Sequence, residues 1–156
     1  AVLCYDVLMH KAEVGQKVVV GGGLTGSELA YDLAAYEHKD VTIVEALPDI
    51  LSAGAPVQKS VNMMLRDLLA VNNVKIRANT RISAVTDEGA VVLANDGTES
   101  VIEADTVIFA IGLKPNKSYA HDLLGSGIAV YEVGDGKQVA NIQRSTSVAY
   151  EVTRML

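Results

Sequence analysis

The sequence predicts an α/β fold, with a Rossmann-like parallel sheet in the order β-α-β-α-β and a three-stranded antiparallel meander before the last parallel strand. Runs of consecutive Val and Ile predict strands buried on both faces, which are typical of parallel sheets. The first three of these runs are separated by segments whose apolar residues have helical spacing. A later stretch has three short strand-like runs joined by hairpin-turn residues. The 156 residues suffice for one ordinary domain and hardly for two complete ones.

The first half of the chain supplies the β-α-β-α-β order. After a connecting segment over 1–16, the predicted elements are a strand at 17–20, a helix at 24–38, a strand at 41–44, a helix at 56–71 and a strand at 74–76. Pro56 suits the first turn of the second helix, because its missing N–H would have no partner there. Asn72 and Asn73 close that helix. This order is the mononucleotide-binding half of a doubly wound fold.

The meander takes the place of a further helix. Its runs are expected at 82–86, 90–94 and 99–103, and each break between them contains a glycine that can adopt a positive φ. The segment 106–111 is then a buried strand that ends at Gly112. Beyond Pro115 we expect a strand over 128–133 and a last helix over 138–156. The helix would line up Val139, Ile142, Thr146, Ala149, Val152 and Leu156 on one face.

Composition argues against several classes of function. Thirteen Lys and Arg against nineteen Asp and Glu give a net charge of −6, so a nucleic acid or an anionic membrane surface is a poor partner. No apolar run approaches the ~20 residues of a membrane span, and the N-terminus does not resemble a signal peptide. The single Cys4 excludes an internal disulfide and a metal site built from cysteines alone. A reduced, cytoplasmic environment is therefore expected.

Catalytic and metal-binding residues are not indicated by the sequence. His10, His38 and His121 are scattered among polar residues and lack the spacing of metal ligands. Ser27 has no GxSxG context, and no Ser–His–Asp arrangement is evident. We assign no metal ligand and no catalytic acid, base or nucleophile.

The clearest motif is a GxGxxG sequence directly between the first strand and the first helix. Gly21 allows a tight turn, Gly23 lets a pyrophosphate approach the backbone, and Gly26 lets the helix pack close to the sheet. The N–H groups at Leu24 and Thr25 open the helix, where the helix dipole attracts phosphate. A glycine-rich turn without a ligand is the alternative, but the context favours a dinucleotide site.

Glu45, at the end of the second strand, predicts which dinucleotide binds. Its carboxylate can accept hydrogen bonds from ribose hydroxyls. A 2′-phosphate at the same place would be repelled by about 4 kcal/mol per charge pair at ~4 Å and an effective dielectric near 20. No Arg or Lys lies between Glu45 and Gln58 to receive that phosphate. NAD(H) is thus favoured over NADP(H), and a solvated Glu that merely ends a strand is the alternative.

Three further residues are weaker candidates. Gly112 could lie beside the nicotinamide, because ligands bind beyond the carboxyl ends of parallel strands, or it could simply end its strand. Glu28, placed in the first turn of the helix, could reach the nicotinamide ribose or carboxamide, or could only complement the helix dipole. Asp135 lies in a Gly-Asp-Gly sequence that by itself predicts a turn and nothing more.

The order of these parts resembles the two-dinucleotide flavoprotein reductases, in which an NAD(P)H domain is inserted within an FAD domain. The segments that carry the resemblance are 18–28, 41–45, the meander, 106–112 and 133–135. The segments 6–8, 11–15 and 134–152 are most similar to one branch, the C-terminal portion of old-yellow-enzyme-type NADH:flavin oxidoreductases. That branch includes 2,4-dienoyl-CoA reductases and enoate reductases.

The resemblance implies a division of the chain and a set of roles. Residues 1–14 would connect from a flavin domain, 15–113 would bind NADH, and 114–156 would return to the flavin domain as a strand and a helix. Gly21, Gly23, Gly26 and Glu45 would hold NADH, Gly112 would lie by the nicotinamide, and Asp135 would bind the ribityl region of FAD. The FAD fingerprint, iron–sulfur cysteines and FMN barrel of the parent proteins do not occur in this sequence. FAD is therefore expected only together with a flavin domain.

We expect the chain to be the NAD(H)-binding part of a multidomain flavoprotein that passes hydride from NADH to FAD, inactive as a reductase by itself. Its partners would be the remaining FAD, iron–sulfur and FMN modules of the same polypeptide. One alternative is a non-enzymatic, nucleotide-responsive module whose last helix signals to a partner. Another is a methyltransferase that uses S-adenosylmethionine, but the meander argues against it.

Overall fold

A computed structural model describes residues 1–54, 56–115 and 118–156. The chain divides into two compact units, Ala1–Ile111 and Gly112–Leu156. The elements of the first unit are β1 Val2–Leu3, α1 Cys4–Leu8, β2 Lys17–Gly21, α2 Leu24–Ala35, β3 Asp40–Val44, α3 Lys59–Val71, β4 Lys75–Arg77, β5 Thr80–Thr86, β6 Gly89–Ala94, β7 Glu99–Glu103 and β8 Thr106–Phe109. Among all the residues that the structure describes, no helix combines the length and the apolar character needed to cross a bilayer.

The described residues of the first unit form one parallel and one antiparallel sheet, which confirms the predicted Rossmann-like fold class. The parallel sheet has the order β1-β8-β2-β3-β4, and the separate meander has the order β5-β6-β7. β2 lies at the centre, where it pairs in parallel with β3 on one side and with β8 on the other. The carboxyl ends of these three strands therefore meet at one edge of the sheet.

Two apolar clusters enclose the parallel sheet. On one face, Val18 and Val20 pack with Leu29, Leu33 and other residues of the helices. On the other face, Val19, Val44 and Val107 pack against Ala90 and Val92 of the meander. The alternation along β2 shows why this strand is uninterrupted Val in the sequence, since both of its faces are buried.

The first residues form two elements that the sequence pattern did not indicate. Val2 and Leu3 pair in parallel with Ile108 and Phe109, so β1 becomes an edge strand of the sheet. The short helix α1 follows and buries Cys4. Two residues are too few to show an alternating pattern, and their pairing depends on a strand at the far end of the unit.

Three predicted boundaries are corrected. α3 begins at Lys59 after the extended residue Gln58, so Pro56 precedes the helix rather than opening it. Its C-terminus agrees with the prediction, because Asn72 is the cap and Asn73 has a φ of +56°. α2 ends at Ala35 instead of His38, and β8 ends at Phe109 instead of Ile111.

The described residues of the second unit form two helices and a short 3₁₀ turn. They are α4 Ser118–Leu123, the turn Gly134–Gly136 and α5 Ile142–Thr153. The strand predicted over 128–133 is wrong: those residues have no regular structure. A strand needs a neighbour to pair its backbone groups, and the described residues of this unit contain no other strand.

α5 is shorter than predicted, and its covered face agrees with the predicted one only in part. Val148 is buried, and Ala149 and Val152 of the predicted apolar face are half-buried, whereas Ile142 and Thr146 are exposed. Ser145 and Thr146, which favour non-helical backbone, are accommodated because their hydroxyls donate to carbonyl groups of the preceding turn. The Asn141 side chain accepts from the Arg144 N–H at 2.9 Å and caps the helix.

Candidate dinucleotide site

The glycine loop lies at the carboxyl end of β2, in the middle of the parallel sheet. β2 ends at Gly21, and Gly23 is the N-cap of α2. Ala110, just after β8, flanks the glycine loop. A Cβ placed on Gly21 would lie 3.4 Å from the carbonyl oxygen of Ala110. The chain leaves β2 toward β3 on one side, while β8 lies on the other. Open α/β sheets bind ligands at such a switch point.

Two glycines of the motif differ in the space around them. A methyl group on Gly26 would overlap the carbonyl oxygen of Gly21 and lie 2.9 Å from the Ala110 Cβ. A methyl group on Gly23 would have only the Ala110 carbonyl oxygen nearby, at 3.9 Å. Gly26 therefore permits tight packing of the helix on the loop, while Gly23 leaves open space above the backbone.

The N-terminus of α2 faces this open space without protein ligands. No side chain caps the helix at Gly23, and its first turn contains no acidic residue. The first N–H groups of a helix have no intrahelical acceptor and carry its positive dipole end. Leu24 is half-buried and Thr25 is exposed.

Glu28 lies elsewhere than predicted. It is the fifth residue of α2, one position beyond the first turn, and its side chain is exposed. It therefore does not complement the dipole from the first turn. A contact between Glu28 and a nicotinamide ribose stays a prediction.

Glu45 lies against the glycine loop. It follows β3 directly and is 8% exposed. Its Oε1 accepts a hydrogen bond from the Leu47 N–H at 2.9 Å. A Cβ placed on Gly22 would lie 2.9 Å from Oε2 of Glu45 and 2.7 Å from Cβ of Glu45. Only glycine therefore fits at position 22. The structure thus brings together the two motifs that the sequence shows 19 positions apart.

The negative charge of Glu45 has no cationic partner among the described residues. Four ion pairs are formed there, Lys17–Glu103, Lys39–Glu37, Arg66–Asp49 and Lys75–Asp40, and none involves Glu45. Its carboxylate is held by a backbone N–H instead. An acceptor in this state suits neutral hydroxyl donors and repels a second anion.

A loop over residues 46–51 closes the other side of the glycine loop. The Leu51 N–H donates to the Gly22 carbonyl at 3.0 Å, and the Ser27 hydroxyl donates to the same oxygen at 3.3 Å. Ile50 is fully buried, and Leu51 is 5% exposed. Hydrogen bonds from Arg66 of α3 lower the pKa of the Asp49 carboxyl in this loop below its ordinary value.

Sequence reasoning missed several residues that shape the site. Gly22 occupies a variable position of the motif, although the run of three glycines in the sequence could have drawn attention to it. Ala110 and Leu51 carry no motif, and only their placement beside the loop reveals them. Arg66 contacts the loop from a helix, and its role depends on tertiary structure alone.

Gly112 and Asp135 belong to the second unit, and their predicted contacts with nicotinamide and flavin stay predictions. Gly112 has a φ of +82°, a conformation that favours glycine. Asp135 accepts a hydrogen bond from the Ala140 N–H at 3.3 Å, which stabilises the turn. A cavity beside Gly134 and Arg144 has a volume of about 20 Å³. That space suits a water and not a flavin.

The side chains that commonly bind metals are dispersed in the described ranges 1–54, 56–115 and 118–156. No three His, Cys, Asp or Glu side chains come together there as ligands. Cys4 is a buried free thiol, and burial raises its pKa above the ordinary value. A thiol in that state is a poor nucleophile.

Several known proteins are similar in sequence to this chain. The profile of the family described as Pyridine nucleotide-disulphide oxidoreductase matches residues 5–148. Cinnamate reductase of Clostridium sporogenes is 40% identical over 150 residues, which cover 96% of this chain and 22% of that protein. NADH oxidase of Thermoanaerobacter brockii is 31% identical over 152 residues, 95% of this chain and 23% of that protein.

A solved structure of 2-naphthoyl-CoA reductase in complex with 2-naphthoyl-CoA superimposes with a TM-score of 0.83 at 29% identity. The match covers 96% of this chain and 23% of that one. The chain therefore spans less than a quarter of the length of these relatives.

Proposed function

The chain belongs to the pyridine nucleotide-disulphide oxidoreductase family, and from that premise we propose that it is the NADH-binding part of a larger flavoprotein reductase. Domains of this family occur in flavin-dependent oxidoreductases, and its members bind NAD(H) and FAD. The observation that carries the proposal is the contact between Gly22 and the Glu45 carboxylate. It unites a phosphate-binding loop and a ribose-binding acid at one edge of the sheet.

The residues of the first unit would divide the binding of NADH between them. The open space at Gly23 admits the pyrophosphate to the N–H groups at Leu24 and Thr25. Glu45 accepts hydrogen bonds from the adenosine ribose and repels a 2′-phosphate. Bound NADH supplies a hydride from C4 of its nicotinamide to FAD of another domain. The chain itself contributes position and electrostatics.

The contacts of the second unit belong to the same proposal. Gly112 would lie beside the nicotinamide and Asp135 beside the ribityl chain of FAD, as the resemblance to the two-dinucleotide reductases implies. The boundaries at 14/15 and 113/114 between flavin-side segments and the NADH-binding domain are likewise proposed. The second unit exposes Leu124, Ile128 and Ile142 by 66% or more. Such apolar exposure supports contact with a further domain.

We also propose that the parent protein is a reductase of the old-yellow-enzyme type, with FAD, iron–sulfur and FMN modules. Similarity to cinnamate reductase over 96% of this chain supports the assignment. The matched region is 22% of that relative, which leaves ample length for those modules. A cytoplasmic location is part of this proposal.

Titration of the chain with NADH and NADPH tests the central claim. We expect NADH to bind at least about tenfold more tightly, a difference of about 1.4 kcal/mol. Glu45→Gln removes the charge that repels the 2′-phosphate and should reduce this ratio. Glu99→Gln, which makes the same charge change at an exposed position of β7, is the matched control and should keep it. Preference for NADPH, or binding of neither nucleotide, contradicts the proposal.

No finding favours the two alternatives. Calorimetry with S-adenosylmethionine would still separate the methyltransferase from an NADH-binding module, because only the former should bind it. A nucleotide-responsive module would bind NADH but would associate with a partner outside a flavoprotein.

A further inference from the structure

Arg66, on α3, makes four hydrogen bonds that tie the helix to the loop over residues 46–51 and to its own preceding turn. Its Nη1 and Nη2 donate to the two carboxylate oxygens of Asp49, both at 2.9 Å. Nη2 also donates to the Ile50 carbonyl at 2.9 Å, and Nε donates to the Asn62 side-chain oxygen at 2.6 Å. A planar guanidinium with two parallel bonds to a carboxylate fixes direction as well as distance.

The far end of this loop holds the glycine loop in place. Leu51 has a φ of +61°, which is unfavourable for a residue with a Cβ. Such a conformation persists only where surrounding contacts hold it. Here the burial of Leu51 and the bonds from Arg66 to the two preceding residues do so. The Leu51 N–H consequently points at the Gly22 carbonyl, 3.0 Å away.

The near end of the same loop holds Glu45. Leu47 lies two residues before Asp49, and its N–H binds Oε1 of Glu45 at 2.9 Å. This bond leaves Oε2 facing Gly22. Residues 46–51 thus hold both sides of the approach between Glu45 and Gly22. Leu47 binds the carboxylate of Glu45, and Leu51 binds the backbone of Gly22.

We propose that Arg66 is a positioning residue that sets nucleotide specificity, by holding residues 46–51 so that the Glu45 carboxylate stays against the glycine loop. The inference rests on the proposed function of this site. Arg66 itself would not touch the nucleotide. Its effect passes through Asp49 and Ile50 to the two backbone N–H groups. Lys cannot replace it, because an ammonium lacks the fixed fork that grips a carboxylate and a carbonyl together.

The test compares the ratio of the dissociation constants for NADPH and NADH in the full chain. Arg66→Lys and Arg66→Ala should each reduce that ratio by about fivefold, and Asp49→Asn should reduce it in the same direction. A loosened loop lets the carboxylate turn away, so NADPH is less strongly rejected. Misfolding of part of the sample would weaken the apparent binding of both nucleotides equally. The ratio of the two dissociation constants would then stay unchanged.

Lys75→Ala is the matched control. Lys75 binds both carboxylate oxygens of Asp40, at 2.7 and 3.0 Å, at the opposite ends of β3 and β4. Removing this pair should leave the ratio as in the wild type. Circular dichroism of each variant checks that it is folded. If Arg66→Ala does not fold, Arg66→Lys and Asp49→Asn still decide the question.

The outcomes separate this inference from the function on which it rests. If the wild type binds neither nucleotide or prefers NADPH, the proposed function fails. If the wild type prefers NADH but the folded Arg66 variants keep its ratio, only the role of Arg66 is overturned. A fall of the ratio in Lys75→Ala as large as in Arg66→Lys would also overturn it.

Discussion

At the scale of single residues, Gly23 and Gly26 occupy the same motif but have different physical roles. Gly26 is enclosed by the Gly21 carbonyl and the Ala110 methyl, whereas Gly23 borders open space. A side chain at position 26 would push α2 off the sheet. A side chain at position 23 would intrude only on a ligand. Under the proposed function, folding would depend on Gly26 and nucleotide binding on Gly23.

Replacement of each glycine by alanine should separate these roles. Gly26→Ala should lower the free energy of unfolding by about 2 kcal/mol, because the helix must shift to accept a methyl group. Gly23 has a φ of −66°, which alanine also adopts, so Gly23→Ala should leave the unfolding midpoint unchanged. The same variant should weaken the binding of NADH by about tenfold or more. Thermal unfolding and NADH titration measure the two effects. Normal NADH affinity in Gly23→Ala would contradict the placement of the pyrophosphate.

The Asp49 carboxyl gives the loop a defined pH dependence. Hydrogen bonds from Arg66 lower its pKa in the folded state, so its contribution to stability is present above its ordinary pKa of about 4 and is lost as the pH falls further. Its side chain is 59% exposed, which limits that contribution to about 1 kcal/mol or less. Asp49→Asn should therefore be less stable at pH 7, and the difference should shrink below about pH 4.

Urea unfolding at several pH values measures this difference. Asp67→Asn, an exposed carboxylate on the same helix, serves as the control and should match the wild type throughout. A deficit in Asp49→Asn that is constant down to low pH would show that the ion pair is not its source.

At the scale of elements, one carboxylate joins the starts of β2 and β8. Asp105 Oδ2 accepts from the Gln16 and Lys17 N–H groups at 3.0 and 2.8 Å. Next to it, the Thr106 hydroxyl accepts from the Gly15 N–H at 3.0 Å. These bonds satisfy backbone donors where the chain enters the central strand. They hold β2 in register with β8, and hence the glycine loop beside Ala110.

Asp105→Ala should lower the free energy of unfolding by about 1 to 2 kcal/mol, since it leaves two backbone donors without their charged acceptor. Glu103→Ala removes a neighbouring carboxylate that forms an exposed ion pair with Lys17. That control should leave the midpoint of denaturant unfolding unchanged. Equal effects of the two substitutions would argue against a role for Asp105 at the strand entry.

At the scale of the whole molecule, the apolar cores are unevenly distributed. Both buried clusters consist of residues from the first unit. The second unit has one buried apolar residue among those described, Val148. A segment of this size with so little core seldom folds alone. The stability of the chain should therefore reside in Ala1–Ile111.

Truncation after Ile111 should leave a fragment that unfolds cooperatively and still binds NADH through its adenosine half. A fragment that ends at Ala104 is the control. It lacks β8, which pairs with both β1 and β2, and should not fold. Circular dichroism and NADH titration compare the two. Loss of folding in the longer fragment would show that the second unit is needed for stability.

Local patterns in the sequence were sufficient for most of the first unit. The β-branched runs, the helical spacing and the glycines of the hairpins predicted β2 to β8 to within a few residues. Elements that depend on distant partners were not predicted or were predicted wrongly. β1 requires β8, and the strand expected over 128–133 has no partner strand in its described unit. The covered face of α5 was predicted only in part, because helical spacing alone does not show which side is covered.

By itself, the sequence determined the fold class, the glycine motif and the acid at the end of β3, because these follow from local periodicity and residue chemistry. Only the tertiary structure decided that the Glu45 carboxylate lies against Gly22 and that Leu51 binds the glycine loop. It also decided that Arg66 of α3 reaches the loop over residues 46–51. Those contacts join residues on separate elements. Their geometry arises from packing of helices and strands, which no spacing along the chain reports.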